Sequence, residues 1–443
     1  MTVDGRLAAA VRARDVDAVW EALGAGADPN ARDADGPPLL WVAVNGFDHE
    51  VAGVLVDHGA DPDRPLPDGT TPLLRAVDLG SSALVGAVLG KDPALRLPAD
   101  AREHLLALAR AWYETGTEEE LRRRTGAVGP AERVWVTERY ADVEQVSLGG
   151  LTVRAGHGAV LTELEWRFRV LTPVDEVVAR AVRHREPGHV GQQAGRFVLA
   201  ERRSRETWSA LTAHHRHPDP AHRGFVAAFL CDAPLLRMGH VVEYEAEETE
   251  LLVAWASAEP DGGVLAEVLR ALGGREHPEE EAVGLRHADH PDPRVRSVVP
   301  DRLGTPLTGA GQACVLRLAR DPDASVRSAA ARSLGDGRRT PATRAALLAL
   351  TRDGSPEVRR AAASVLAPPA DRTPEVADAL AALLDVDDRL VLLEATYGLA
   401  LRDDPRTGEA VERLGPLTGP EYEYDDRAGA IRAWEARTPP EGT

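Results

Sequence analysis

The side chains in this sequence best suited to chemistry are arginines set at a fixed interval. Arg296, Arg327 and Arg359 follow one another by 31 and 32 positions, with Arg294, Arg332 and Arg360 close by. Guanidinium groups repeated in one register would form a column able to grip carboxylates or phosphates. Residues 286–360 hold fourteen arginines and eight acids, a net of +6, while 205–285 and 361–443 each come to −9. A basic band therefore lies inside an acidic chain, whose 52 basic and 71 acidic residues leave a formal charge of −19. Two anions would suit the band, an acidic protein segment or a nucleic-acid backbone. The overall negative charge disfavours the second at long range. The same arginines could instead pair with turn acids such as Asp321 and Asp353 and simply tie neighbouring segments together.

Other reactive groups lead less far. His214, His215, His217 and His222 gather near Asp219, and imidazoles with a carboxylate can ligate zinc or nickel. Their spacing matches no zinc signature. HPDP also recurs at 290–293 as an inter-helix turn, so a solvated turn and no metal are expected. Cys231 and Cys314 are isolated, which suits small buried side chains in a reducing cytosol. Lys91 is the only lysine and precedes an aspartate, so GxxxxGK[ST] is absent; neither GxSxG nor HExxH occurs. No catalytic residue and no cofactor is indicated. The N-terminal stretch shows no apolar h-region, and the longest apolar run covers only 251–258. A cytoplasmic protein with no membrane contact is expected. Arginine in place of lysine, with 32 prolines and 40 glycines, suggests a GC-rich, bacterial origin.

What must position these groups is repetitive. GADPN at 26–30 returns as GADPD at 59–63, and DADG at 33–36 is followed by LPDG at 66–69. Ala10, Ala43 and Ala76 keep the same interval of 33. Each unit has a physical logic. DGTTPLLRAVDLG at 68–80 opens with a turn, places proline in the first helical turn where its missing N–H costs nothing, and ends at Gly80. These units resemble ankyrin repeats over 1–126. Pro38-Leu39 replaces Thr-Pro in the second unit, Trp41 and Leu74 replace the usual histidine, and 101–113 and 117–124 read as a degenerate closing pair. The resemblance implies a protein-binding face made of hairpin tips and inner helices. Arg32, Asp33, Asp35, Arg64 and Asp68 would lie at the tips, and Trp41 and Arg75 on the helices, where Trp41 could be an exposed anchor or a core filler.

A second period follows. RDPDASVRSAAARSLG at 320–335, RDGSPEVRRAAASVLA at 352–367 and DVDDRLVLLEATYGLA at 385–400 align without gaps, and HPDPRVRSVVPDRLG at 290–304 fits upstream. Val326, Val358 and Leu390 share one position. Apolar and small residues at helical spacing make one face that a single pair cannot bury alone, so neighbours must stack. This resembles HEAT repeats of the short bacterial type first named from phycobilisome lyases, extending over 204–443. Between the two arrays, residues 127–203 break both periods. Partial alternation in RVWVTERYADVEQVSLGGLTVRA and the pair Gly149-Gly150 predict a hairpin, with helices near 159–170 and 174–185. The expected fold is mainly α, with two α-solenoids joined by a small α+β connector. The expected function is a non-enzymatic protein-interaction scaffold. A DNA-binding or base-excision protein acting through the arginine face is the alternative, by analogy with HEAT-fold DNA glycosylases. A lyase or chaperone acting on a peptide or natural product is a third, carried only by the name of the repeat subtype.

Overall fold

The computed structural model describes residues 2–33, 36–186, 188–236, 244–275, 277–336 and 340–437. The protein is mainly α, with two helical solenoids and one three-stranded sheet. It divides into two compact units, Met1–Phe229 with Leu235–Met238 and Leu230–Pro234 with Gly239–Thr443.

The first unit opens with three helix pairs: α1 (Val3–Ala13) and α2 (Val16–Gly24), α3 (Leu39–Asn45) and α4 (His49–Asp57), α5 (Pro72–Asp78) and α6 (Ser82–Val88). Each start is written in the sequence. Asp15, Asp48 and Thr71 accept the N–H three residues on, from Ala18, Val51 and Leu74, satisfying donors that the helix itself cannot pair. Ala10, Ala43 and Ala76 are buried at the seams. The GAD turns bridge units directly: Asn30 donates to Gly59 O and accepts from Asp61 N, at 3.0 and 2.9 Å. The short α7 (Pro93–Arg96), then α8 (Ala99–Thr115) and α9 (Thr117–Thr125), end the array.

The segment that broke the repeats forms an antiparallel sheet of β1 (Glu132–Glu138), β2 (Ala141–Leu148) and β3 (Leu151–Arg154), in that order. Gly149-Gly150 makes the turn between β2 and β3. A second turn at Arg139, with φ +54°, cuts what the alternation had left as one stretch. Five helices follow: α10 (His157–Arg167), α11 (Val174–Ala181), α12 (Val190–Arg202), α13 (Arg205–Ala213) and α14 (Pro220–Leu236), the last running across the division between units. Val160, Leu161 and Leu164 of α10 join the same apolar cluster as Leu73, Leu84 and Leu105 of the repeats. Helix α10 thus extends the core of the array, while the sheet packs Val146, Leu148 and Val153 in a separate cluster with Trp112 of α8 and Leu121 of α9.

The second unit runs from α15 (Glu245–Ala256) and α16 (Gly262–Leu272) through α17 (Glu280–His287), α18 (Pro293–Val298), α19 (Gly309–Leu318), α20 (Ala324–Asp336), α21 (Pro341–Leu350), α22 (Pro356–Leu366), α23 (Pro374–Ala381), α24 (Arg389–Ala400), α25 (Thr407–Leu414) and α26 (Asp426–Arg437). Helices α18, α20, α22 and α24 pack each on the next. Val326 and Val358 are fully buried there. Truncating Val326 to alanine should cost about 1–3 kcal/mol, read as a lowered urea midpoint with unchanged slope.

The third aligned position corrects the sequence reading. Leu390 is 44% exposed, and its neighbour Val391 is fully buried. The physical reason is the start of the helix. Val326 and Val358 sit three residues after Asp323 and Ser355, which precede α20 and α22. Helix α24 begins after Asp388, whose carboxylate accepts from the N–H groups of both Leu390 and Val391, so the buried position moves on by one.

Candidate functional site

Two surfaces hold the residues singled out in the sequence, one in each unit. In the first unit, a groove of about 390 Å³ lies along the inner helices α3, α5 and α8. Its apolar floor is Trp41, Leu74 and Leu108, and Asn45, Arg75 and Asp68 stand at its sides. Trp41 is partly buried in this groove. Arg75 donates Nε to Asn45 Oδ1 at 2.9 Å and Nη1 to Asp78 Oδ2 at 3.0 Å. Asp78 is the hub that fixes this wall. Its Oδ1 also accepts from the Trp112 indole at 3.0 Å and from Arg124 at 2.6 Å, and the Arg124 guanidinium lies 4.3 Å from the Trp112 ring centroid.

The hairpin tips hold the other predicted residues. Arg32 is exposed and bridges to Pro38, and its guanidinium donates to Gly36 O. Asp33 pairs with Arg12 at 2.5 Å. Asp35 lies outside the described residues. Arg64 and Asp68 are exposed; Asp68 accepts from the Thr70 backbone and hydroxyl and so shapes its own turn. The fold therefore brings Trp41, Asp68 and Arg75 into one groove and leaves Arg32, Asp33 and Arg64 at the tips. Sequence reading missed Asp78, Trp112, Arg124 and Leu108. Asp78 alone had a local signal, since it stands three residues after Arg75 on one helix.

In the second unit the arginine register is real and is used internally. Arg296 forks onto both oxygens of Asp321 at 2.7 and 2.9 Å, and Arg327 onto both oxygens of Asp353 at 2.7 and 2.8 Å. Each also donates Nη1 to two carbonyls of its own turn. The Arg327 bond holds Asp353 below the usual carboxylate range despite its partial burial. Arg359 repeats the carbonyl contacts, to Asp353 O and Gly354 O, but no carboxylate among the described residues reaches it. The shift at α24 explains why. Asp321 and Asp353 stand two residues before Asp323 and Ser355, and the matching place before Asp388 is Val386; Asp385 pairs with Arg413 instead. Arg294 is exposed and chelates Asp292, Arg332 is exposed over Ser328, and Arg360 is exposed.

The histidine-rich turn forms a stack, with His217 and His222 rings 3.8 Å apart, and His214 Nε2 donates to Asp175 Oδ1 at 2.9 Å. Among the described residues, no three His, Cys, Asp or Glu side chains are grouped to hold a metal ion. No helix of the described residues is long and apolar enough to cross a membrane.

Several carboxylates are held down by arginines. Arg427 keeps Asp425 at about 2, and Arg123 with Arg124 keeps Glu120 at about 2. A carboxylate lowered in the folded state contributes stability that is complete above its unfolded value and is lost as pH falls through the folded value. Stability should therefore drop between about pH 4.5 and pH 2. Glu120→Gln should flatten part of that slope in urea titrations of the full chain; an unchanged slope would refute the assignment.

Comparison with known proteins defines a class. Residues 7–96 match the family described as ankyrin repeats (3 copies), and residues 312–400 match HEAT repeats. The chain thus carries an ankyrin-repeat segment and a HEAT-repeat segment. No curated protein matches it. Among solved structures, the X-ray structure of YIBA_ECOLI is similar at 15% identity and TM-score 0.45, over 59% of this chain and 91% of that one. A chain of the Pds5–Scc1 complex is similar at 12% identity and TM-score 0.30, over 98% and 69%. An engineered protein is similar at 17% identity and TM-score 0.26, over 98% and 99%.

Proposed function

We propose that this protein is a non-enzymatic interaction scaffold that holds a partner protein in the groove of its ankyrin repeats. The observation that carries the reading is the groove around Trp41. An aromatic anchor, aliphatic neighbours and a rim of polar groups fixed by Asp78 are what a buried contact centre needs. The hairpin-tip residues Arg32, Asp33, Asp35 and Arg64 would add contacts around the groove. In this reading residues 1–126 recognise the partner, 127–203 brace them, and 204–443 form the second array, of the short HEAT type. The exposed arginines Arg294, Arg332 and Arg360 and the carboxylate-free Arg359 are where an acidic partner segment would meet that array, whereas Arg296 and Arg327 serve the ladder. The unpaired Cys231 and Cys314 fit work in a reducing cytoplasm.

The test is a Trp41→Ala/Arg75→Ala double variant. Cross-linking with mass spectrometry on the intact chain in its host should place partner cross-links around α3 and α5. Loss of those cross-links in the double variant, with an unchanged helical circular dichroism spectrum, is the expected result. Full retention would remove the groove from the binding surface.

A further inference from the structure

We propose that a second groove in the first unit, between α7 and the turn that follows α10, docks a short acidic segment of a partner protein through that segment's apolar side chains. This groove shares no lining residue with the one around Trp41. Its volume is about 700 Å³, within the range of about 300–1,000 Å³ over which pockets enclose a compact group. One wall runs from Gly90 to Leu95, where Asp92, at φ +44°, turns the chain into α7. The other is Trp166 and Arg167 at the end of α10, followed by Arg169, Val170 and Leu171.

Large apolar side chains are left in water here. Leu95 is 77% exposed, Leu171 74% and Val170 42%, and all three line this one groove. Such residues scattered singly are ordinary, but grouped in a hollow they mark a contact surface. Their exposure is not slack in the chain. Thr172 O accepts from Arg202 at 2.8 Å, the Thr172 hydroxyl donates to Glu165 at 2.7 Å, and Val170 N donates to Glu165 O at 2.8 Å. Arg96 ties α7 to Leu89 O at 2.7 Å and pairs with Asp63, and the Trp166 indole donates to Glu201. Both walls are thus fixed before a partner arrives, which lowers the ordering cost of binding.

Charge then sets the occupant. Lys91, Arg167 and Arg169 line the groove, and among the described residues none of them forms an ion pair. Asp92 is the one acid among the described lining residues. Burial pushes the Glu163 carboxyl up and nearby Arg167 opposes that shift, so Lys91 and Arg169 are the freer cations. Arg96, Arg296 and Arg327, by contrast, each meet a carboxylate. A positive rim on a chain of formal charge −19 favours acidic residues beside the apolar anchors. A hollow between two walls suits a linear segment whose side chains project into it. A bilayer is apolar and can be anionic, but its flat face cannot enter a hollow.

The probe is a random peptide library displayed on phage, panned against the full chain after depletion on its Leu171→Ser variant. Leu171 is exposed, so that variant should keep the helical circular dichroism spectrum. The surviving peptides should share acidic residues beside a large apolar one. A synthetic peptide of that consensus, followed by fluorescence anisotropy, should bind Leu171→Ser about tenfold more weakly than the unaltered chain. Its affinity for Trp41→Ala/Arg75→Ala should be unchanged, which separates this result from the fate of the ankyrin groove. Panning on Lys91→Glu/Arg169→Glu should turn the consensus from acidic to basic. No shared sequence, a consensus without acidic residues, or an acidic consensus kept by the charge-reversed chain would each overturn the proposal. So would binding to phosphatidylserine vesicles, or self-association in sedimentation, that Leu171→Ser abolishes.

Discussion

Replacing Arg275 by methionine should destabilise the second unit by about 3–5 kcal/mol. Arg275 is 4% exposed, and its guanidinium closes three helices on one another. Nη1 meets Glu248 Oε2 of α15 at 3.0 Å, Nε meets Ala271 O of α16 at 2.9 Å, and Nη2 meets Leu230 O of α14 at 2.9 Å. Glu248 is fully buried. Methionine keeps the stem volume but takes this cation away from a buried carboxylate and leaves two carbonyls without this donor. The double variant Glu248→Leu/Arg275→Met removes both charges and should recover most of the loss, because a buried pair adds little net stability over apolar residues of similar size. Trp255, buried on the same helix as Glu248, reports the transition by fluorescence in urea. A single-variant cost below about 1 kcal/mol would show that the pair is not desolvated as its burial implies.

How far the sequence revealed this structure depends on the distance over which each feature is specified. Repeat units are local, since turn, cap and apolar face lie within about thirty residues, and recurrence multiplies the signal. The two arrays, the alanine seams and Val326 and Val358 follow from that. So does the inward placement of Trp41 and Arg75. The pairing of Arg296 with Asp321 and of Arg327 with Asp353 was legible as one of two uses of the register, because turn acid and arginine recur together. The break at Arg359 was not. It comes from a one-residue change in where α24 begins, and an ungapped alignment conceals such a shift by placing Leu390 under Val358. The far wall of the groove and the docking of the connector on the repeats were also out of reach. Asp78 meets Trp112 and Arg124 across 34 and 46 residues, and His157 reaches back 79 residues to Asp78 O, with no recurring pattern to mark either.

Gly80→Ala should be the most damaging small substitution in the first unit, because Gly80 is where the sheet docks on the repeats. Its φ is +67°, and an added Cβ would stand 2.2 Å from Arg154 O and 2.4 Å from His157 Cε1. The contacts on either side are themselves part of the joint. Arg154 N donates to Leu79 O at 2.7 Å, His157 Nε2 lies 3.2 Å from Asp78 O, and the Ser81 hydroxyl donates to Glu138 at 2.6 Å. The left-handed backbone costs an alanine about 1–2 kcal/mol, and forcing the strand away adds about 1–3 kcal/mol more. Gly59 separates the two contributions. It has φ +98° and no atom within 4 Å of an added Cβ, so Gly59→Ala carries only the backbone cost. Gly80→Ala should therefore lower stability clearly more than Gly59→Ala, and it should speed amide exchange in β3 while Gly59→Ala leaves β3 protected. Equal losses in the two variants would mean that left-handed geometry alone, and not the close approach of the sheet, requires glycine at position 80.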